Sequence, residues 1–307
     1  MSEATGETLA SGLGRDEVTT LLRNAEPRRL ANLAASLNLS AGIFFLLLGL
    51  APFEGNLLRP IVAVVAVGLV WTLSNRLWRD IALATVAQKI GEGWGQSHFA
   101  SGWGTVDAEK WIADLFSEEG LRFTAWESGG KHRDIAYRLN EATIWRRRRN
   151  QKRSESFHLM QVDIAVPQAF TGSIAVRPRS KFMVGVDDLF RQLSGDELQR
   201  REIAPEFDAV FETLASSNAD VDALLTPGFQ RAMLTLAKRN PQFYLSGRFQ
   251  HGWFNLRLPI PHLVFSSAGL FRPLDALIDD VDTLWWDLTI PHRLIDSLMG
   301  DHQGQLR

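Results

Sequence analysis

"LANLAASLNLSAGIFFLLLGLAPF", Leu30 to Phe53, runs for 24 residues without a charged side chain. A helix rises about 1.5 Å per residue, so the run covers about 36 Å and exceeds a hydrocarbon core of about 30 Å. "PIVAVVAVGLVWTLSN", Pro60 to Asn75, adds 16 residues of the same character. It reaches full length when Leu57 and Leu58 join it and Arg59 and Arg76 extend their head groups to the two interfaces. Trp71 and Trp78, seven residues apart on one helical face, suit the headgroup level at that end. Between the runs, "EGN" (Glu54 to Asn56) is a short polar turn. The pair predicts a transmembrane helical hairpin with spans at about residues 30–53 and 57–78.

A secretory signal does not fit, because the run starts about thirty residues in and is too long for an h-region. A buried helix pair of a soluble protein is the rival, since Asn32, Ser36, Asn38 and Ser40 dilute the first half of the run. Arg23, Arg28 and Arg29 precede the first span and Arg76 and Arg79 follow the second, whereas the connection holds only Arg59. The positive-inside bias therefore places both ends of the chain in the cytoplasm.

The whole composition limits what such a protein can be. Apolar residues make up 45% of 307, enough for a sizeable core. Lys and Arg (33) nearly balance Asp and Glu (35), so a basic function must be local, and a general nucleic-acid binder is disfavoured. There is no Cys, which excludes disulfides, thiolate nucleophiles and Cys-ligated zinc, and fits a reducing compartment.

Outward from the hairpin, residues 1–27 read as a polar tail with a short helix, "RDEVTTLLRNA", ahead of Pro27, which suits the first turn of the first membrane helix. Residues 28–90 read as hairpin and stalk, and 91–104, "GEGWGQSHFASGWG", as a Gly/Trp-rich linker. Residues 105–307 alternate helix and strand signals, so the fold class is α+β: a two-helix transmembrane hairpin followed by a cytosolic mixed helix/strand domain. "DAEKWIADLFSEEG" carries a helical stripe. "LRFTAWES", "DIAYRLNEATIW", "FHLMQVDIAVP" and "GSIAVRP" carry the strand period. Thr226 caps and Pro227 opens a helix. "QFYLSGRFQHGWFNLRLPI" reads as a hairpin with Phe254, Leu256 and Leu258 on one face and Trp253, Asn255 and Arg257 on the other. From Pro273 a last amphipathic helix runs through Val281, Trp285 and Leu288 until Pro291 interrupts it.

Three features of this C-terminal part, "EFDAVF" (Glu206 to Phe211), "LLTP" (Leu224 to Pro227) opening a helix, and the hairpin that follows, resemble the bacterial family known as domain of unknown function 3137. Upstream, the strands around the charged turn in "YRLNEATIWRRRRNQKRSESFHLMQVDIAVPQAFTG" resemble the same family, and the similarity loosely covers residues 30–299. The chain departs from the pattern at "FRP" (Phe271 to Pro273), where an acidic residue is expected, and at "ETLASSNAD". The resemblance implies a multi-pass bacterial inner-membrane protein and no known activity.

Chemistry-bearing motifs are sparse. The glycine cluster lacks the strand before it and the Lys after it that a phosphate loop needs. Seven His are scattered without metal-ligand spacing, and "HRD" (His132 to Asp134) lacks every other kinase part. His251 beside Gly252 is a turn residue. Asp187 and Asp188, and Asp279, Asp280 and Asp282, are carboxylate clusters whose ordinary state is solvated. No catalytic residue, cofactor site or metal site is assigned.

One run stands out. "RRRRNQKR", Arg146 to Arg153, puts Arg146, Arg147, Arg148, Arg149, Lys152 and Arg153 at the tip of a hairpin or loop between Trp145 and Phe157. Repelling charges in a turn stay solvated. On the cytoplasmic side they are also attracted to anionic lipid, by about 1 kcal/mol per residue near the surface. Nucleic acid ranks third, with Trp145 the only aromatic noted beside the run. The sequence thus points to a membrane-tethered binding or scaffold module with the lipid bilayer as partner, and a protein partner or second copy as further options. A membrane-tethered enzyme is the alternative.

Overall fold

The two apolar runs fold as helices of 35 residues each, α1 (Arg15–Gly49) and α2 (Leu58–Glu92). The computed structural model describes residues 15–49, 58–92, 96–101, 121–147, 154–179, 198–239, 245–261, 263, 269–272 and 277–300. Within the helices, Thr19–Leu47 and Pro60–Gly91 are each long and apolar enough to cross a membrane. Leu22, Arg29, Ser36 and Ser40 form the buried stripe of α1, at spacings of seven, seven and four, and Ala63 is buried on α2. Outward of it, Leu37, Leu39, Phe45, Ile61, Val64, Leu69 and Leu73 are exposed. Two hydroxyls bond backward within their helices, Ser36 Oγ to the Asn32 carbonyl at 2.7 Å and Thr72 Oγ1 to that of Gly68 at 2.8 Å. The short helix expected before Pro27 is not separate: α1 runs through Pro27. The proline forfeits one backbone bond, to the carbonyl of Arg23, itself an exposed residue.

The chain forms two compact units, Met1–Glu92 with Val264–Trp286, and Gly93–Leu263 with Asp287–Arg307. This corrects the single domain expected over 105–307 in two places. Residues 264–286 group with the hairpin, and the sheet begins before residue 105 with β1 (Gln96–Ser101), inside the expected linker. The glycines around β1 hide a strand signal that its pairing supplies: Gln96 lies opposite Gly130 and Ser101 opposite Trp126, with Phe99 stacked on Trp126 at 5.8 Å. The helix expected over "DAEKWIADLFSEEG" lies outside the described residues, as do Trp94 and Trp103.

In the second unit, β2 (Leu121–His132), β3 (Ile135–Arg147), β4 (Ser154–Ala165), β5 (Ile174–Pro178), β6 (Gln199–Arg201), β7 (Phe211–Ala215), β8 (Ser246–Gln250) and β9 (Trp253–Ile260) follow β1. All pair antiparallel, in the order β1-β2-β3-β4-β9-β8-β5-β7-β6. Strict alternation gives the sheet two faces. Tyr137, Leu139 and Glu141 lie opposite Ile164, Val162 and Met160, which lie opposite Phe254, Leu256 and Leu258, and all nine are buried. The reverse face is polar at Asn140, Gln161, Asp163 and Asn255, with Asn255 Nδ2 donating to Asp163 Oδ1 at 2.7 Å. The expected β8–β9 hairpin register holds. His251 (φ 51°) and Gly252 (φ 79°) make its turn, a left-handed pair that a glycine accommodates.

Four helices complete the described chain: α3 (Pro205–Val210), α4 (Val221–Leu224), α5 (Pro227–Arg239) and α6 (Ile278–Leu298). Thr226 caps α5 as its sequence predicts, accepting from the Phe229 amide at 3.3 Å. The buried face of α5 then seats Phe229 against Phe249 and Phe254, at ring distances of 5.4 and 5.0 Å. Helix α6 does not stop at Pro291 as expected; the proline lies inside it. From Asp287 onward α6 belongs to the sheet unit, where the His292 ring meets Tyr137 at 4.9 Å. That packing outweighs the bond which Pro291 cannot give to the Asp287 carbonyl.

Candidate functional site

The basic run occupies the end of the β3–β4 hairpin. Pairing extends further than its sequence suggests, to Arg146 opposite Glu155 and Arg147 opposite Ser154. Arg148, Arg149, Lys152 and Arg153 lie outside the described residues, and for Arg146 and Arg147 the backbone alone is described. Burial on these strands ends at Thr143 and Leu159. Beyond that level three aromatic side chains are exposed, Trp145 at 49%, Phe157 at 41% and Phe123 at 37%. Phe123 pairs with Thr143, so it shares a face with Trp145, while Phe157 pairs with Ile144 on the other face. Phe123 and Phe157 escaped notice in the sequence because each sits in an ordinary strand pattern. Their register beside the charged run is the signal that reveals them.

A second constellation lies inside the sheet unit. Trp126 Nε1 donates to Glu141 Oε2 at 2.7 Å, and Glu141 has no exposed surface. Burial pushes the Asp287 carboxyl well above the usual range; the nearby Glu141 charge raises it further, and Arg239 pulls it part of the way back. Burial, helped by Arg239, lowers Arg293 to about 10. Buried Tyr137 is raised to about 12, so it keeps its proton. Further along α6, Asp296 receives His132 Nε2 and Arg133 Nε, both at 2.9 Å. The His132 and His292 rings stand edge to face at 4.7 Å.

These groups are not the acids noted in the sequence. Asp187 and Asp188 lie outside the described residues, as does the Asp279 side chain, and Asp280 and Asp282 are half-buried. Arg133 and Asp134, with φ of 49° and 65°, make the β2–β3 turn, so "HRD" is a hairpin turn that reaches α6. Glu141 could have been found from the alternation Tyr137, Leu139, Glu141, which points it inward; Asp287 carries no such signal, because it lies about 120° round α6 from the stripe of Val281, Trp285 and Leu288. Chemically the cluster can share and relay protons, but a general acid must come within about 3 Å of its substrate. Glu141, Asp287 and His292 are buried. Their arrangement suits fastening α6 to β3. Among the described residues no group of three or more His, Asp or Glu could hold a metal ion.

A third feature belongs to the hairpin unit. Residues 269–272 form a turn closed by the Arg272 amide donating to the Gly269 carbonyl at 3.0 Å. The Leu270 amide donates to Asn75 Oδ1 at 2.9 Å, and its carbonyl accepts from Arg29 Nη1. Glu26 steadies Arg29 through Nε at 2.9 Å. Phe271 stacks on Trp71 with ring centroids 4.9 Å apart. Compared with family models, with curated proteins and with solved structures, the chain matches none.

Proposed function

We propose that this chain is a membrane-tethered binding module, anchored in a bacterial inner membrane by α1 and α2 with both ends cytoplasmic, whose β3–β4 tip touches anionic lipid. The observation that carries the lipid contact is the exposure of Phe123, Trp145 and Phe157 beside the run Arg146–Arg153. Aromatic rings prefer the headgroup level and clustered cations the anionic surface, so the combination suits one interface. The tether is supported by the exposed apolar side chains of both helices, which water would penalise and lipid would not. "EFDAVF", which runs from α3 into the first residue of β7, and "LLTP", which opens α5, support placing the chain with the family known as domain of unknown function 3137. The enzyme reading keeps one observation in its favour, the gathering of Glu141, Asp287 and Arg293, and the burial of Glu141 and Asp287 weighs against it.

The natural chain has no Cys, so Asn150→Cys carries a single label at the tip. With an environment-sensitive dye there, the full chain in phosphatidylcholine vesicles should emit to the red. Vesicles containing phosphatidylglycerol should shift it to the blue. Salt should reverse the shift as the screening length falls from about 10 Å at 0.1 M to about 3 Å at 1 M. Replacing Arg146, Arg147, Arg148 and Arg149 with Gln should abolish it. A response to single-stranded nucleic acid that exceeds the lipid response would promote nucleic acid over lipid. An unchanged signal throughout would leave the tip as a solvated turn and sink the lipid contact.

A further inference from the structure

We propose that the turn Gly269–Arg272 is a second membrane contact, which sets Phe271 and Trp71 into the headgroup zone of the bilayer at the open end of the hairpin. The inference rests on the reading of α1 and α2 as membrane-spanning. From Leu30 through Gly49, α1 has about 20 residues, which rise about 30 Å and match one hydrocarbon thickness. Arg29 therefore marks the rim of that layer, and Arg29 is one of the two side chains that grip the Leu270 peptide. Asn75, the other, marks the rim on α2, about 27 Å along the helix from Leu58. Trp71 is one turn closer to the hydrocarbon.

The grip explains why Phe271 points where it does. With its amide and carbonyl both taken by the hairpin and its side chain buried, Leu270 holds the turn in place. The next side chain, Phe271, lies flat on Trp71, with an interplanar angle of 22°. It is nevertheless 69% exposed, the outer member of an aromatic pair at rim depth. Arg28, exposed one residue before Arg29, adds a cation at the same level. Ring pairs with a neighbouring cation are the ordinary equipment of the membrane–water interface. The fit is to the glycerol and headgroup layer of phospholipid rather than to its hydrocarbon, because Arg29, Asn75 and the turn's peptides are polar.

Nitroxide labels in the full chain, reconstituted in vesicles of phosphatidylethanolamine and phosphatidylglycerol, test this. Collision rates with oxygen and with a water-soluble nickel chelate report depth. Single-cysteine variants Phe271→Cys, Leu39→Cys and Ser217→Cys would carry the label. Leu39 is exposed on α1 and Ser217 on the sheet unit, and Phe271 buries too little for its loss to unfold the protein. The expected order is Leu39 deepest, residue 271 intermediate and Ser217 aqueous. Adding Asn75→Ala should move the 271 label toward the aqueous value, because the turn loses the acceptor for its amide. Position 271 matching Ser217 while Leu39 is deep would overturn the interfacial turn and leave the hairpin standing. Position 271 as deep as Leu39 would overturn the rim placement. Leu39 matching Ser217 would remove the membrane reading and this inference together. No response to Asn75→Ala would refute the grip as the cause.

Discussion

Asp287→Asn should make the sheet unit more stable at neutral pH and should flatten its pH dependence. Asp287 is almost wholly buried, and desolvation first, then Glu141, raises its carboxyl in the folded state. A free Asp carboxyl in the unfolded chain titrates near 3.9. Between that value and the raised folded one, the native state holds a proton that the unfolded chain has lost. Stability contributed by the protonated form is complete below about pH 3.9 and drains away as pH rises toward the folded value, at about 1.4 kcal/mol per pH unit. For a unit of this size that is a fall of about 3–6 °C in apparent Tm per pH unit, at about 2–4 °C per kcal/mol. Asn keeps the shape and the hydrogen-bonding edge of a protonated Asp but has no charge to bury, so it removes this slope. The assay is tryptophan-monitored melting of the full chain in nanodiscs at a series of pH values, because the Trp126 indole bonds the Glu141 carboxylate next door. Parallel curves for the natural chain and the Asp287→Asn variant would show that Asp287 ionises freely in the fold and would refute the reasoning.

Two further outcomes check other layers of the structure. Gly247→Ala should destabilise the sheet unit by about 1–3 kcal/mol in the same melting assay, because the new Cβ would lie 2.8 Å from Phe254 Cε2; the double variant with Phe254→Leu should recover part of the loss, and a neutral single variant would mean the ring moves aside. In intact cells, cysteines at Gly55 and Ser217 should separate the two sides of the membrane, an impermeant maleimide labelling Gly55→Cys from outside and Ser217→Cys only after lysis; the reverse pattern would invert the topology.

Legibility followed the range over which a signal is written. The β8–β9 hairpin is local: a His-Gly turn and the Phe254, Leu256, Leu258 alternation specify both register and buried face. The two long apolar helices are local too, since length and charge-free composition are properties of a window. Strand β1 was not legible, because "QSHFAS" becomes a strand only by pairing with β2, about 30 residues away, and its glycine surroundings suggested a linker. Pro27 was expected to open a helix after a separate short one and Pro291 to interrupt one; both instead lie inside continuous helices, and α6 is held by contacts of His292 with Tyr137 and His132. The Leu270 turn depends on Arg29, which lies 241 residues away in the chain, beyond any pattern a window could show.

The binding module proposed above rests on the distribution of side chains rather than on any motif. Catalysis by proton transfer needs a titratable group that is both perturbed and able to touch its substrate. Here those two properties separate. Asp287 and half-buried Arg293 on α6 and buried Tyr137 on β3, the perturbed groups of the sheet unit, lie with Glu141 where α6 meets β3. The exposed side chains that stand out, Trp145, Phe157, Phe123 and Phe271, are aromatic and have no proton to exchange, although their rings are costly to leave in water. An exposed ring beside clustered arginines is stabilised by a surface that is apolar at one depth and anionic at another. A phospholipid interface has that layered chemistry, whereas a small polar substrate has not. Among the described residues that separation supports the binding module proposed above.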